Sequence, residues 1–303
     1  MNPLISIIIP TFNREKELKR AINSVVSQTY SNWEICVIDN FSLDNTIELI
    51  ESYDDLRIKL FMIENNGIIA ASRNLGIKNA TGKYLAFLDS DDWWSRNKLE
   101  YSVIALNKGA NVIYHDLNIV SRENQNFFLK RAKTRKLKAP IFDDLIINGN
   151  ALITSSVVLK KEIMIQIGGF SEDKNLVAIE DYDAWLRIAK VYGNFEKLSK
   201  TLGYYWLGGG NTSNPRRTIS VLTALEERYH SDLLKLRLVD KIYWFNYNKG
   251  RAFYKLSMKK EATKSFNLTL SQYPNLNIKV KCLYMILIIN SMNFINKFNK
   301  KKC

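Results

Sequence analysis

The amino-terminal part of the chain alternates short apolar runs with amphipathic segments, and this alternation limits the folds open to it. The runs Leu4–Ile9 and Trp33–Asp39 are rich in β-branched residues and short enough to be strands buried on both faces. Between them, the apolar residues of 18–26 recur at helical spacing, which predicts an amphipathic helix. Strands that alternate with helices build a mostly parallel sheet flanked by helices, so we expect an α/β fold.

A later strand of this series ends in a cluster of carboxylates. The apolar run Tyr84–Leu88 is followed directly by Asp89, Ser90, Asp91 and Asp92. The carboxyl ends of parallel strands meet at one edge of a sheet, where open α/β sheets bind their ligands. Asp-x-Asp spacing offers oxygen ligands to Mg²⁺ or Mn²⁺, which commonly shares its coordination with substrate phosphates. The pattern therefore predicts a divalent-cation site beside a nucleotide pocket.

Charge is distributed unevenly along the chain. The formal charge is +14, yet residues 1–215 hold 26 Lys and Arg against 25 Asp and Glu, whereas residues 216–303 hold 18 against 5. We therefore place a domain boundary near Pro215, with a nearly neutral α/β domain over 1–215 and a basic helical region over 216–303. Basic regions of this kind bind anionic surfaces, either lipid headgroups or nucleic acid.

The end of the basic region favours contact with an anionic membrane. Residues 279–303 combine six lysines with an apolar segment around Leu283–Ile289. This segment is too short to span a bilayer but is suited to lie on one; a helix packed on the rest of the protein is the equal alternative. The start of the chain lacks a signal-peptide pattern, and its three cysteines form neither a disulfide nor a zinc pattern. We expect a cytoplasmic protein, peripheral at the inner face of the cell membrane.

Six short motifs follow one another in a fixed order between Ser6 and Ser213. They are Ser6–Arg14, Ile38–Asp44, Ser72–Gly76, Phe87–Trp93, Gly168–Phe170 and Glu180–Asp183. With these motifs the sequence resembles the inverting glycosyltransferases of family 2, which have the GT-A fold. The resemblance covers about two-thirds of the chain and implies a Rossmann-like, mostly parallel sheet, to which a small C-terminal helical extension is added here.

The resemblance implies a nucleotide-diphosphate-sugar donor, most often UDP-linked. Pro10, Thr11 and Asn13 are expected to line the nucleoside, and Asp39 is expected to face the base. Arg73 is expected near the base or the phosphates.

The same resemblance assigns roles at the two acidic motifs. Asp89 and Ser90 are expected at the ribose or donor sugar, and Asp91 is expected to bind the Mn²⁺ or Mg²⁺ that neutralises the leaving diphosphate. Asp181 is expected to be the general base. Displacement at the anomeric carbon needs one carboxylate to take the acceptor proton and one cation to stabilise the diphosphate.

Two neighbours of Asp181 are its rivals for the role of base. Glu180 and Asp183 share a helix face and are expected to act together as caps or salt-bridge partners. All three lie in the first turn of a predicted helix, whose N-terminal field favours an ionised Asp181 at neutral pH.

Two motifs depart from the pattern common in the family. Asn40 and Phe41 stand where many members have an acidic residue and a glycine, so one carboxylate is lost and the nucleotide loop is expected to change shape. Gly208 stands where many members have a metal-binding histidine, which is expected to weaken metal binding and leave room for water. The segment Gly208–Arg217 is expected to be a flexible loop that closes over the diphosphate, with Arg216 or Arg217 replacing the histidine.

Several local expectations can be compared with the structure. Residues 121–140 lack apolar periodicity and are expected to leave the sheet, whereas 151–159 should be strand-like and 203–207 should form the last strand. His115 is expected to be buried and hydrogen-bonded, and His230 to lie on the surface.

The sequence thus favours an enzyme that adds one sugar to a glycan or undecaprenyl-linked acceptor during O-antigen or capsule synthesis. A sugar nucleotidyltransferase is an alternative, but such enzymes usually have a glycine-rich phosphate loop, and Leu4–Arg14 contains no glycine. A basic nucleic-acid-binding protein is another, yet the tail matches no known module, so we expect no nucleic-acid partner. The sugar, acceptor, linkage and oligomeric state stay open.

Overall fold

The computed structural model describes residues 2–122, 130–208, 214–272 and 274–299, with side chains as far as Ser291. Two compact units are present: Met1–Phe142 with Asn150–Gly210, and Asp143–Gly149 with Asn211–Cys303. The sequence did not predict that Asp143–Gly149 belongs with the carboxyl-terminal helices.

The strands of the described chain form one sheet. They are β1 (Ile5–Thr11), β2 (Trp33–Asp39), β3 (Ile58–Met62), β4 (Tyr84–Phe87), β5 (Trp93–Trp94), β6 (Val112–Val120), β7 (Arg131–Ala132), β8 (Val158–Lys160) and β9 (Phe195–Trp206). Their order is β3-β2-β1-β4-β8-β6-β9-β5, with β7 beside β6. The first four neighbours are parallel, β8 runs antiparallel between β4 and β6, and β9 is parallel to β6.

Helices connect the strands and continue beyond them. They are α1 (Glu15–Val26), α2 (Thr46–Glu51), α3 (Ile69–Asn79), α4 (Lys98–Asn107), α5 (Ile141–Asn148), α6 (Lys161–Gln166), α7 (Glu180–Ala189), α8 (Pro215–Lys235), α9 (Tyr243–Lys255), α10 (Lys259–Ser271) and α11 (Leu276–Asn299).

The register of the central strands brings the sequence motifs to one edge. Every residue of β1 and β2 is buried, as expected for strands covered on both faces, and Thr11 pairs with Asp39 at their carboxyl ends. Leu88, which follows β4, donates its amide to Ile8 of β1. The three motifs that end these strands therefore lie side by side at the same edge of the sheet.

The prediction of a strand around residues 154–156 is wrong. Thr154–Ser156 form a 3₁₀ turn, and β8 begins two residues later at Val158. Their buried hydroxyls make other hydrogen bonds: Thr154 donates to Asp181, Ser155 accepts from the Asp89 amide, and Ser156 donates to the Ile153 carbonyl just before the turn. Such side-chain bonds compete with a strand ladder.

Two other expectations need correction. Residues 121–140 do not leave the sheet entirely, because β7 pairs with Leu117 and Asn118 of β6; residues 123–129 lie outside the described chain. The final strand is longer than 203–207, since β9 already begins at Phe195 beside β6.

The second unit has its own small core, centred on α10 and α11. Ala262, Phe266, Cys282 and Ile289 are buried together there. Ile289 thus points inward, which corrects its assignment to a membrane-facing segment. Among the described residues, no helix is long and apolar enough to cross a membrane.

Candidate active site

Two loops at the carboxyl ends of β1 and β2 hold each other in place. The amide of Asn13 donates to Ser42 Oγ at 2.8 Å, and Asn13 Oδ1 accepts from the Leu43 amide at 2.7 Å. Asp39 is fully buried, and its carboxylate accepts from both the amide and the hydroxyl of Ser42. Asp39 therefore shapes the loop after β2 through Ser42.

Phe41 explains how this loop tolerates the loss of a glycine. Its φ is 56°, in the left-handed region that glycine adopts without steric cost, and its side chain is exposed. The loop thus keeps a backbone angle suited to glycine, and Phe41 adopts this angle at a steric cost that glycine would not have.

Arg73 of α3 joins two of the acidic motifs. Its side chain is only 4% exposed, and it donates to Asp89 Oδ1 at 2.7 Å and to Glu180 Oε1 at 2.6 Å. Neighbouring carboxylates raise the pKa of Arg73 despite its burial. Arg73 is therefore a charged bridge between the end of β4 and the start of α7, a role that the sequence did not predict.

The carboxylates after β4 lie close enough to repel one another. Arg14 pairs with the Asp91 carboxylate, and Arg20 donates to the Asp91 carbonyl at 2.8 Å. Burial, followed by the charge of Asp89, raises the pKa of Asp91 despite Arg14. Burial and the other two carboxylates raise the pKa of Asp92 well above its usual value, and Asp92 Oδ1 accepts from the Trp206 amide at 2.9 Å.

This repulsion is the property that a divalent cation would relieve. Among the described residues no three His, Cys, Asp or Glu side chains could hold a metal by themselves. The Asp91 side chain nevertheless keeps 19% of its surface exposed. The residues present therefore fit a cation that takes most of its ligands from a bound substrate.

The three carboxylates at the start of α7 have different partners. Glu180 is buried, pairs with Arg73 and accepts the Ala178 amide at 2.7 Å. Asp183 is fully buried and pairs with Arg187 at 2.7 Å. The sequence suggested that Glu180 and Asp183 act together, but each of them pairs with a different arginine.

Asp181 is the partly exposed member of this group. Its carboxylate accepts from the Thr154 hydroxyl at 2.8 Å and from the Tyr182 amide at 2.6 Å. Burial first, and the charge of Glu180 second, raise the pKa of Asp181 to about 6. Burial therefore outweighs the helix field that the sequence suggested, but Asp181 is still mostly ionised at pH 7.

Tyr205 of β9 lies close enough to carboxylates of both acidic groups to feel their charge. Its side chain is 36% exposed. Burial raises the pKa of Tyr205, and so do the charges of Asp92, Asp89, Asp91 and Asp181. No sequence motif indicated a role for Tyr205. The only feature of the sequence that could have suggested one is its position shortly before the glycines that begin at Gly208.

An aromatic cluster lies next to the Asp91 motif. Trp93 stacks on Tyr204 with 5.0 Å between ring centroids, and the Arg20 guanidinium lies 3.8 Å from the Trp93 ring centroid. A Cβ added at Gly208 would overlap the Trp206 indole. The Trp206 indole thus lies beside the position where the family often has histidine.

Part of the proposed lid lies outside the described residues, namely 209–213. Its last three residues, Pro215, Arg216 and Arg217, are not in a loop, because they begin α8. Asn214 caps this helix, because its Oδ1 accepts hydrogen bonds from the backbone amides of both arginines.

The two histidines match the sequence prediction. His115 is fully buried, and its Nδ1 lies 3.0 Å from the Asp116 carbonyl, while His230 is exposed. Burial lowers the pKa of His115 to about 3, and burial also lowers the pKa of nearby Lys98 well below its usual value. His115 is therefore neutral at pH 7 and unsuited to bind an anionic donor.

The structure brings most of the predicted residues to one sheet edge. Thr11, Asn13 and Asp39 lie at the first two strand ends, and Pro10 is buried inside β1. Arg73 contacts Asp89 directly, and Ser90, the next residue in the chain, is buried.

Known proteins share this fold and these motifs. A family model described as Glycosyl transferase family 2 matches residues 6–168. A β-1,3-glucosyltransferase of Escherichia coli, WfgD, described as acting on α-D-GlcNAc-diphosphoundecaprenol with UDP-Glc, is 36% identical over 189 residues, 62% of this chain and 70% of WfgD. The chain spans 64% of the length of two Rickettsia glycosyltransferases that it also matches.

Two solved structures extend the likeness to nearly the whole chain. Staphylococcus aureus TarS 1–349 with UDP-GlcNAc gives a TM-score of 0.59 at 15% identity, covering 96% of this chain and 92% of TarS. The Pyrobaculum calidifontis mannosyltransferase PcManGT, with GDP-Man and Mn²⁺, gives 0.56 at 17%, covering 98% and 88%. The predicted fold, a GT-A-like mixed sheet flanked by helices and followed by carboxyl-terminal helices, is confirmed. The chain belongs to glycosyl transferase family 2.

Proposed function

We propose that the protein is an inverting glycosyltransferase that moves a sugar from a UDP-sugar to a hydroxyl of a lipid-linked glycan. The observation that carries the proposal is the distribution of partners at α7. Glu180 and Asp183 are buried in ion pairs with arginines, whereas Asp181 keeps an exposed surface. One carboxylate of the three is thus left to accept a proton.

Donor binding is proposed at the ends of β1 and β2. Thr11 is buried, and its hydroxyl has no hydrogen-bond partner among the described residues, so it is available to a nucleoside. Pro10 precedes Thr11 directly and Asn13 follows it by two residues, while Asp39 supports the opposite loop through Ser42. Asp89 and Ser90 face the ribose or sugar in this arrangement.

A divalent cation, Mn²⁺ or Mg²⁺, is proposed at Asp91. When bound, it would offset the negative charge that develops on the leaving diphosphate. The mutual repulsion of Asp89, Asp91 and Asp92 supports this assignment, as does the Mn²⁺ in the PcManGT complex. Arg73 is proposed as a positioning residue, because its contacts with Asp89 and Glu180 fix the distance between donor and base.

Asp181 is proposed to take the proton of the acceptor hydroxyl as its oxygen attacks the anomeric carbon. The C–O bond to the diphosphate breaks on the opposite face, so the configuration at the anomeric carbon inverts. A base whose pKa is about 6 is ionised at pH 7 and retains enough basicity to share the proton in the transition state.

The acceptor is proposed to be an undecaprenyl-linked glycan of a surface polysaccharide. WfgD, whose name specifies such an acceptor, supports this assignment. An acceptor of this kind is anchored in a bilayer, so we place the enzyme at the cytoplasmic face of the membrane as a peripheral protein.

A donor panel tests the proposal. The full chain is incubated with Mn²⁺ and UDP-Glc, UDP-GlcNAc or UDP-Gal, with and without GlcNAc-diphospho-undecaprenol, and UDP release is measured. We expect acceptor-stimulated release from one donor, and its loss in Asp181→Asn. Formation of pyrophosphate from UTP and a sugar 1-phosphate, without UDP release, would instead identify a nucleotidyltransferase.

A further inference from the structure

Helix α11 is apolar on two opposite faces. One face packs inward: Cys282 and Ile289 are buried, and Ile278, Met285 and Ile286 pack around them. The other face is exposed, and five large apolar residues on it keep between 46% and 76% of their surface accessible: Leu276, Val280, Leu283, Tyr284 and Leu287. We call these five residues the α11 stripe. An unpartnered apolar face of this kind marks an interaction surface.

The α11 stripe is continuous. Its members are spaced 4, 7, 8 and 11 residues from Leu276, which places them on one side of a helix with 3.6 residues per turn. At 1.5 Å per residue the stripe is about 16 Å long. Two exposed lysines, Lys279 and Lys281, lie on either side of it by the same helical geometry.

The charge around the α11 stripe selects the partner. Beyond Glu261 the sequence contains no Asp or Glu, and residues 216–303 carry 18 basic against 5 acidic side chains. A second copy of the chain would bring the same positive charge to the interface and be repelled. A surface of anionic lipid headgroups would attract the lysines and accept the apolar side chains beneath them.

We propose that α11 lies flat on an anionic membrane, with the α11 stripe inserted below the headgroups and Lys279 and Lys281 at the phosphate level. Membrane binding by α11 does not itself depend on the proposed function. Only its purpose rests on that function, namely to hold the active unit at the surface that contains a lipid-linked acceptor. The inward face of α11 stays packed on α10, so binding requires no unfolding of the second unit.

Vesicle flotation of the full-length protein tests this surface. Vesicles of phosphatidylcholine with about 30% phosphatidylglycerol are compared with vesicles of phosphatidylcholine alone. We expect the wild type to bind the anionic vesicles at least 10-fold more tightly. Leu283→Ser/Leu287→Ser should weaken this binding by roughly 10- to 100-fold. The matched control is Leu56→Ser, because Leu56 is 97% exposed on the other unit and should leave binding unchanged.

The lysines are tested separately. Lys279→Glu/Lys281→Glu should weaken binding to anionic vesicles at least 10-fold and reduce its dependence on salt, whereas Lys108→Glu, at the exposed lysine that follows α4, should not. Unchanged circular dichroism and unchanged hydrolysis of the UDP-sugar in detergent-free buffer would show that the variants fold.

Three outcomes would overturn the proposal: no binding of wild type to anionic vesicles, equal binding of the stripe variant, or a wild-type dimer that the stripe variant converts to monomer. The last outcome would identify a second copy as the partner. Because donor hydrolysis is measured without vesicles, failure of the membrane inference and failure of the proposed function give different results.

Discussion

The chain places three carboxylates within four residues at two positions, 89–92 and 180–183, and the protein treats them differently. At 180–183 Glu180 and Asp183 are buried against Arg73 and Arg187, and Asp181 accepts from the Thr154 hydroxyl. At 89–92 burial and neighbouring carboxylates raise the pKa values of two members, Asp91 and Asp92, although Arg14 pairs with Asp91. The first arrangement leaves one base available; the second concentrates negative charge, which favours a cation.

The largest effect should come from Asp181, the carboxylate at 180–183 that has no arginine partner among the described residues. Asp181→Asn keeps the shape of the side chain but cannot accept a proton, so kcat should fall by roughly 10²- to 10⁴-fold, while donor affinity stays about the same. Single-turnover rates and UDP titration measure the two quantities.

The folding control for this variant follows from linkage. The folded-state pKa of Asp181, about 6, exceeds the usual value of an unfolded aspartate, so its stability contribution is lost as pH rises through about 6. Asp181→Asn should therefore be at least as stable as wild type at pH 7. Activity in Asp181→Asn, with Glu180→Gln or Asp183→Asn inactive and donor binding intact, would move the base to a neighbour.

The next effect tests the bridge between the two acidic regions. Arg73→Met leaves buried Glu180 without its cation and should lower the free energy of unfolding by about 3–5 kcal/mol. Urea unfolding measures the loss. Arg73→Lys keeps the charge but loses the forked geometry and should cost less.

A double-mutant cycle identifies the source of that cost. Arg73→Met/Glu180→Met should recover part of the stability, because no unpaired charge remains at position 180. A loss below about 1 kcal/mol in Arg73→Met would mean that the two regions are not coupled through Arg73.

The third effect concerns the shared cluster. Asp91→Ala should abolish the dependence of turnover on Mn²⁺ and reduce the rate by roughly 10²- to 10³-fold, as expected when stabilisation of a developing anion is lost. Glu51→Ala, an exposed carboxylate of α2, is the control. Near-wild-type rates in Asp91→Ala, both with Mn²⁺ and after chelation, would remove the metal role from Asp91.

The smallest effect is on pH dependence. Because the Asp181 pKa is about 6, the single-turnover rate should fall about 10-fold from its plateau by pH 5. The Thr154 hydroxyl lowers the pKa of Asp181, so Thr154→Val should move the acidic limb to higher pH, whereas Thr154→Ser should not. An unchanged limb in Thr154→Val would assign it to another group.

The sequence predicted most of the sheet edge because the information there is local. The β-branched runs of β1 and β2 and the helical spacing of α1 identify the elements, and parallel pairing then brings Thr11 beside Asp39. The segment Thr154–Ser156 resembles a strand in sequence, but it forms a 3₁₀ turn. Its hydrogen bonds go to Asp181 and to the Asp89 amide, which are distant in the chain, so no local pattern reveals them.

The partners in the site were not predictable for the same reason. Arg73 and Glu180 are 107 residues apart, and Asp92 and Trp206 are 114 apart. No local pattern distinguishes a carboxylate that will meet an arginine from one that will meet solvent. The roles of Arg73, Asp91 and Asp181 are proposals that the variants above test.

The packing of Trp206 over Gly208 limits how this lineage can change. A side chain at position 208 would meet the indole, so Gly208→His requires the Trp206 side chain to move. The histidine common elsewhere in the family is therefore accommodated more easily beside a smaller residue at 206. We expect histidine at 208 and tryptophan at 206 to occur together rarely among relatives.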